Sequence, residues 1–155
     1  MRLHLTLATF REVVDDLCRS SSVAYERVGV THCRFSSQYQ QNVIVVTKYI
    51  PCPEESYVDG PEAANFDARW LMRASEVAAS ENAGVFLTHM HEHKGIPWFS
   101  PPDMNTNKRL VHPISRIDPT LPCGALLLSL NSAVALVAVG TGFTTIRPVM
   151  IVGLR

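Results

Sequence analysis

A chain of 155 residues, 46% hydrophobic and 18% charged, has the length of one domain and the apolar content to bury a sizeable core. Its 14 basic and 14 acidic residues cancel, and no basic cluster is longer than Lys108-Arg109, so the charge argues against a nucleic-acid partner. No apolar run approaches the ~20 residues that span a bilayer, which argues against a membrane partner. The opening residues 1–7 read as too short and too polar for a signal peptide. Cys18, Cys33, Cys52 and Cys123 are scattered without a Cys-x-x-Cys pair, which fits free thiols in a reducing cytoplasm.

Leu3, Leu5 and Leu7 alternate with polar residues and predict an opening strand with one buried face. Thr9 followed by Glu12 reads as a capping box, and Phe10, Val13, Val14 and Leu17 give a helical stripe, so a helix is expected over 10–19. Residues 23–34 read as a strand through Val23, Tyr25, Val28 and Val30, with Glu26 inside it and Gly29 available for close packing. A polar hairpin connection over 35–41 leads to the β-branched run Val43-Ile44-Val45-Val46. Residues 51–60 form a loop, and Asp59-Gly60-Pro61-Glu62 looks like a helix start with an acidic first turn. Ala63, Phe66, Trp70, Ala74 and Val77 then set the apolar side of a second helix ending near 81. A short buried strand is expected over 84–88, a short helix over 103–111, and an irregular, proline-punctuated stretch over 112–122. The apolar runs 125–130 and 133–139 flank Asn131-Ser132 and read as a hairpin, with a last strand over 146–152. The hairpin is expected to be buried, or else to offer an edge to a partner chain. This order predicts a single α/β domain over 1–155, a mixed β-sheet with helices packed on it.

The chain is organised around the stretch from Thr88 to Asp103, where three histidines, a serine and an aspartate fall within 16 positions. A strand that runs into His89-Met90-His91 places both imidazoles on one side. The loop after it carries Gly95 and three prolines before Asp103, so it is a shaped turn from which Asp103 can return as an oxygen ligand. Two histidines and a carboxylate leave a tetrahedral zinc one position for water, the pattern of a catalytic site. His93 leaves a second pairing open; His89 and His91 are preferred because they continue the apolar strand. Trp98 and Phe99 read as loop anchors against the core or as a grip on an extended substrate. Glu12 and Glu62 have capping explanations, Glu54 and Glu55 read as solvated, and His4, His32 and His112 carry no spacing signal.

Taken together, Glu26, His89-Met90-His91 and Ser100-Pro101-Pro102-Asp103 resemble the signature of the JAB/MPN-domain metalloproteases of the JAMM type. The resemblance extends over nearly the whole chain. It is strongest to small stand-alone bacterial JAB proteins similar to deubiquitinating enzymes, which occur beside E1-like and E2-like proteins in ubiquitin-like conjugation systems, some implicated in anti-phage defence. Two departures stand out. Eight residues separate His91 from Ser100 where many members have seven, and Glu92 stands where a proline is usual. The resemblance implies an MPN/JAB (cytidine-deaminase-like) fold, with Zn²⁺ on His89, His91 and Asp103. It further implies that Glu26 is the general base, that Ser100 donates to the oxyanion, and that the reaction is amide or isopeptide hydrolysis. The implied partners are a ubiquitin-like modifier and its conjugates, with the E1-like and E2-like proteins of the same system. Rival readings are a non-catalytic MPN scaffold and a metallopeptidase that processes a sulfur-carrier-like protein. A DNA-repair branch of the same superfamily is disfavoured by Met90, Glu92 and the neutral charge.

Overall fold

The strand that leads into the histidines, β4 (Gly84–Met90), is buried at every position. It lies between β2 (Val28–Phe35), which runs antiparallel to it, and β5 (Gly124–Leu128), which runs parallel. The computed structural model describes residues 1–21, 24, 26–36, 43–58 and 65–153. Around this centre stand β1 (Arg2–Thr6), β3 (Val43–Pro51), β6 (Ala133–Val139), β7 (Gly142–Ile146) and β8 (Met150–Val152). Together they form one mixed sheet in the order β7-β6-β5-β4-β2-β3-β1-β8. Among the described residues three α-helices cover it: α1 (Leu7–Leu17), α2 (Ala68–Ser80) and α3 (Pro101–Ser115). No helix among them is long and apolar enough to cross a membrane.

Because side chains alternate across a strand, β4 serves two cores. Phe86 and Met90 pack with Leu3, Leu5, Phe10, Val13 and Leu17 on the side covered by α1. Val85 and Leu87 pack with Trp70, Leu71, Ala74, Val111 and Ile114 beneath α2 and α3. His89 continues the second series, two residues after Leu87. The apolar pair β5 and β6 forms the buried hairpin expected of it, with every β5 residue and residues 133–137 of β6 inside.

Several boundaries differ from the sequence reading. Helix α1 begins at Leu7, not Phe10, because Thr6 caps it: the Thr6 hydroxyl accepts from Thr9 N at 3.1 Å. Thr9 and Glu12 are therefore inside the helix and do not cap it. The proposed start of the second helix at 59–62, with Ala63, lies outside the described residues. The observed α2 is capped by Asp67, whose side chain accepts from Arg69 N at 2.9 Å. Phe66 precedes the helix and meets Trp70 edge-on, and Val77 is 48% exposed, so the buried stripe is Trp70, Leu71, Ala74, Ser75 and Ala78. Helix α3 starts earlier than 103, because Ser100 caps it and Pro101 and Pro102 fit the first turn, where no N–H is needed, and it runs on through Pro113 to Ser115, where an irregular stretch was expected from 112. The final segment is two short strands on opposite edges: β7 pairs with β6, and β8 pairs in parallel with β1.

The correction that bears on function concerns Glu26. It lies outside β2, in the segment that leads into Val28, while Val23 and Tyr25 are outside the described residues. Pairing stops there because β3 ends opposite Gly29 at Pro51 and β4 ends one residue past the Val28–His89 pair. Gly29 itself is required by close packing, since a Cβ there would lie 2.4 Å from the Tyr49 ring.

Candidate metal centre

His89 occupies the penultimate position of β4, and His91 is the first residue beyond it. His91 N donates to Leu128 O at 3.0 Å, so the pairing with β5 outlasts the strand by one residue. The alternation survives with it, and the two imidazoles stand side by side with ring centroids 5.3 Å apart. Asp103 reaches them from the first turn of α3. Its Oδ1 lies 3.2 Å from His89 Nε2, and its Oδ2 lies 3.5 Å from His91 Nε2. One ligand atom from each of the three residues falls within 4.8 Å of the others.

The electrostatics prepare these groups for a cation. His89 is 8% exposed, and its Nε2 is buried with no correctly directed hydrogen bond despite the nearby carboxylate. Such an orphaned nitrogen, facing a second imidazole and a carboxylate, fits a metal ligand. Burial and the charge of His89 hold the His91 imidazole below its ordinary pKa, against the pull of Asp103 and Glu26, which favours the neutral, metal-binding form. Burial opposes ionisation of Asp103, but the adjacent His89 and the hydrogen bonds from Ser100 outweigh it, holding the carboxyl well below the usual carboxylate range. These three side chains could hold a metal ion.

Ser100 aims the carboxylate. Its N–H and its hydroxyl each donate to Asp103 Oδ2 at 2.7 Å, and Asp103 N returns a bond of 3.3 Å to Ser100 Oγ. This reciprocal capping box leaves Oδ1 toward His89. The single Ser100 hydroxyl proton is thus committed to Asp103 in this conformation.

His93 is not part of the convergent group. Its Nδ1 lies 2.9 Å from Lys94 O, and its ring faces Trp98 at 5.2 Å. The surrounding loop is fastened to the β5–β6 turn: Gly95 N donates to Asn131 Oδ1 at 2.7 Å, and the Ser129 hydroxyl donates to Gly95 O at 2.6 Å. Gly95 adopts φ +93°, which a side chain would resist. Trp98 does not anchor this loop in the core; it is 65% exposed, while Pro97 is buried and Phe99 stands 6.1 Å from the His89 ring.

Glu26 is half-buried and borders two spaces. One is a cavity of about 40 Å³ that it shares with His89 and Asp103. The other is a cleft of about 610 Å³ that it shares with His91. The residue after it, Arg27, is 5% exposed and forms ion pairs with Glu54 and, at 3.9 Å, with Asp16. Glu54 is therefore a partner of this segment, bonded also by Ser21, and not merely solvated. Sequence reasoning passed over Arg27, which carries no spacing signal. It also passed over Asn107, whose four-residue offset from Asp103 places it on the same helix face. No family model matches this chain, and no curated protein matches it in sequence.

Proposed function

We propose that this protein is a zinc-dependent isopeptidase of the JAB/MPN type, which removes or processes a ubiquitin-like modifier. The observation that carries the reading is the convergence of His89, His91 and Asp103 on one point, with the Glu26 carboxylate bordering the same cavity. His89, His91 and Asp103 hold the metal, and their two-imidazole, one-carboxylate set suits zinc with a position left for water. Bound there, Zn²⁺ lowers the pKa of a water molecule toward ~7 and polarises the scissile carbonyl. Glu26 takes a proton from the attacking water and passes it to the departing amine, leaving a carboxylate on the modifier and a free amine on the target. The Ser100 hydroxyl keeps Asp103 oriented in the resting state and turns to the oxyanion as charge develops there, an interaction worth ~2.7–4 kcal/mol in comparable sites. The cleft bordered by His91, Glu26 and Arg27 gives an extended tail a route to the metal. The MPN-type fold, a cytoplasmic setting and E1-like and E2-like partners in a bacterial conjugation system belong to the same reading. They draw on the resemblance of Glu26, His89-Met90-His91 and Ser100-Pro101-Pro102-Asp103 to the JAMM signature.

The test joins elemental analysis to hydrolysis. Protein purified without added metal is expected to carry about one zinc per chain. His89→Ala and His91→Ala lose it and His93→Ala keeps it. The zinc-loaded wild type cleaves an isopeptide-linked ubiquitin–lysine substrate to intact modifier and free amine. Glu26→Gln retains the metal and loses at least about 100-fold in rate, the scale of a missing general base. Metal retained in His89→Ala, or an unchanged rate in Glu26→Gln, overturns the assignment. A metal-loaded wild type that binds modifier without cutting it would favour the scaffold.

A further inference from the structure

Helix α3 carries a buried polar side chain one turn beyond Asp103. Asn107 is 2% exposed, and its Nδ2 is buried with no hydrogen-bond partner among the described residues. Residues four apart on a helix share a face, so Asn107 projects alongside Asp103. It lines the cavity of about 40 Å³ that Glu26, His89 and Asp103 also line, and the walls contributed by Val28, Phe66 and Leu87 are apolar. A buried amide N–H with no acceptor is a standing cost to a fold, and an apolar side chain of the same shape would remove it. An acceptor for it must therefore be sought in that cavity.

Asp103 offers little. Its Oδ2 already takes two bonds from Ser100, and its Oδ1 faces His89. Glu26 borders the same space, and its carboxylate makes no hydrogen bond with another described residue. The cavity is roomy enough to hold water. We propose that Asn107 is a positioning residue for Glu26: its Nδ2 donates, through water in this cavity, to one carboxylate oxygen, leaving the other oxygen aimed at the metal centre. Glu26 needs such a tether because it precedes β2 and has no ladder bond to fix it, while Arg27 anchors only the backbone beside it. The inference rests on Glu26 being the base.

Two measurements separate this role from a structural one. In the side-chain amide NMR spectrum of the zinc-loaded protein, Glu26→Ala shifts the Asn107 Nδ2 proton resonances and speeds their exchange with solvent, and Glu92→Ala leaves them in place. Unmoved Asn107 resonances in Glu26→Ala overturn the proposal, whether or not a substrate is turned over. In hydrolysis of ubiquitin–7-amido-4-methylcoumarin, Asn107→Leu keeps one zinc per chain and the wild-type KM. Its metal-free form melts no lower than wild type. Its kcat falls roughly 10- to 100-fold, the scale of a misplaced catalytic group. In a Glu26→Asp background, where the carboxylate is already withdrawn, Asn107→Leu adds less than about a twofold loss, since the two act as a unit. Wild-type kcat in Asn107→Leu, equal losses in both backgrounds, a lost zinc or a lowered melting temperature overturns the role. Full activity in Glu26→Gln instead removes the base on which it rests.

Discussion

At His89 two requirements meet. The strand needs a side chain that can be buried, and a metal needs a nitrogen that is uncommitted; an imidazole with no directed hydrogen bond supplies both. The same environment sets the pH response of the metal-free protein. His91 and His32 are both held below their ordinary pKa, chiefly by burial. The unfolded chain therefore binds more protons than the folded one as pH falls through about 6.5, and stability drops there. Asp103 acts lower on the scale: its depressed folded pKa gives stability that is present above about 3.9 and is lost as pH falls further. The metal-free melting temperature is thus expected to decline from about pH 7 to about pH 5, and more steeply below pH 4. In a His32→Gln, His91→Gln variant the upper part of that slope flattens; an undiminished slope would mean other groups govern it. The clustering of His89, His91 and Asp103 was legible because it is written in spacing: His-x-His on a strand end encodes a shared side. The setting of Glu26 was not, because Val23, Tyr25, Val28 and Val30 alternate as a strand does. What ends β2 is the exhaustion of its neighbours at Pro51 and Met90, a tertiary fact.

Among the elements, α3 does most to shape the candidate centre, because its first turn carries Asp103. Ser100→Ala removes the acceptor for Asp103 N and the donor to Asp103 Oδ2 together. Loss of such a cap costs about 1 kcal/mol of unfolding free energy, readable as a lower denaturation midpoint at unchanged slope. The same substitution frees Asp103 to rotate, so zinc affinity should weaken by about 10- to 100-fold, as when a ligand loses its supporting hydrogen bonds. A stability loss without an affinity loss would show that α3 places Asp103 unaided. Caps also explain where the reading of the helices slipped. Both Thr6 and Thr9 are plausible caps by type, and only the end of β1 at Thr6 chooses between them. The buried hairpin 125–139 was plain from composition. The split of 142–152 between β7 and β8 was not, because each strand is too short to show a period.

For the molecule as a whole, position in the sheet grades tolerance. Phe86, fully buried at the centre, loses both transfer energy and packing on Phe86→Ala, for about 3–5 kcal/mol. Thr144→Ala, exposed on edge strand β7, should stay within about 0.5 kcal/mol. Urea titrations of the pair measure the contrast, and comparable losses would place the stabilising core elsewhere. The mixed sheet and its packed helices were readable in the order of periodic segments; the strand order was not, since β1 pairing with β3 and β8 depends on contacts far apart in sequence. One consequence of this layout concerns rates. Two candidate ligands stand at the end of the innermost strand, which opens only when the protein does, and the third stands on the first turn of a helix, where opening is local. An ion held by all three would therefore leave by the α3 side, with Asp103 detaching first. Its residence time would then be set by opening of that one turn and not by unfolding of the whole molecule.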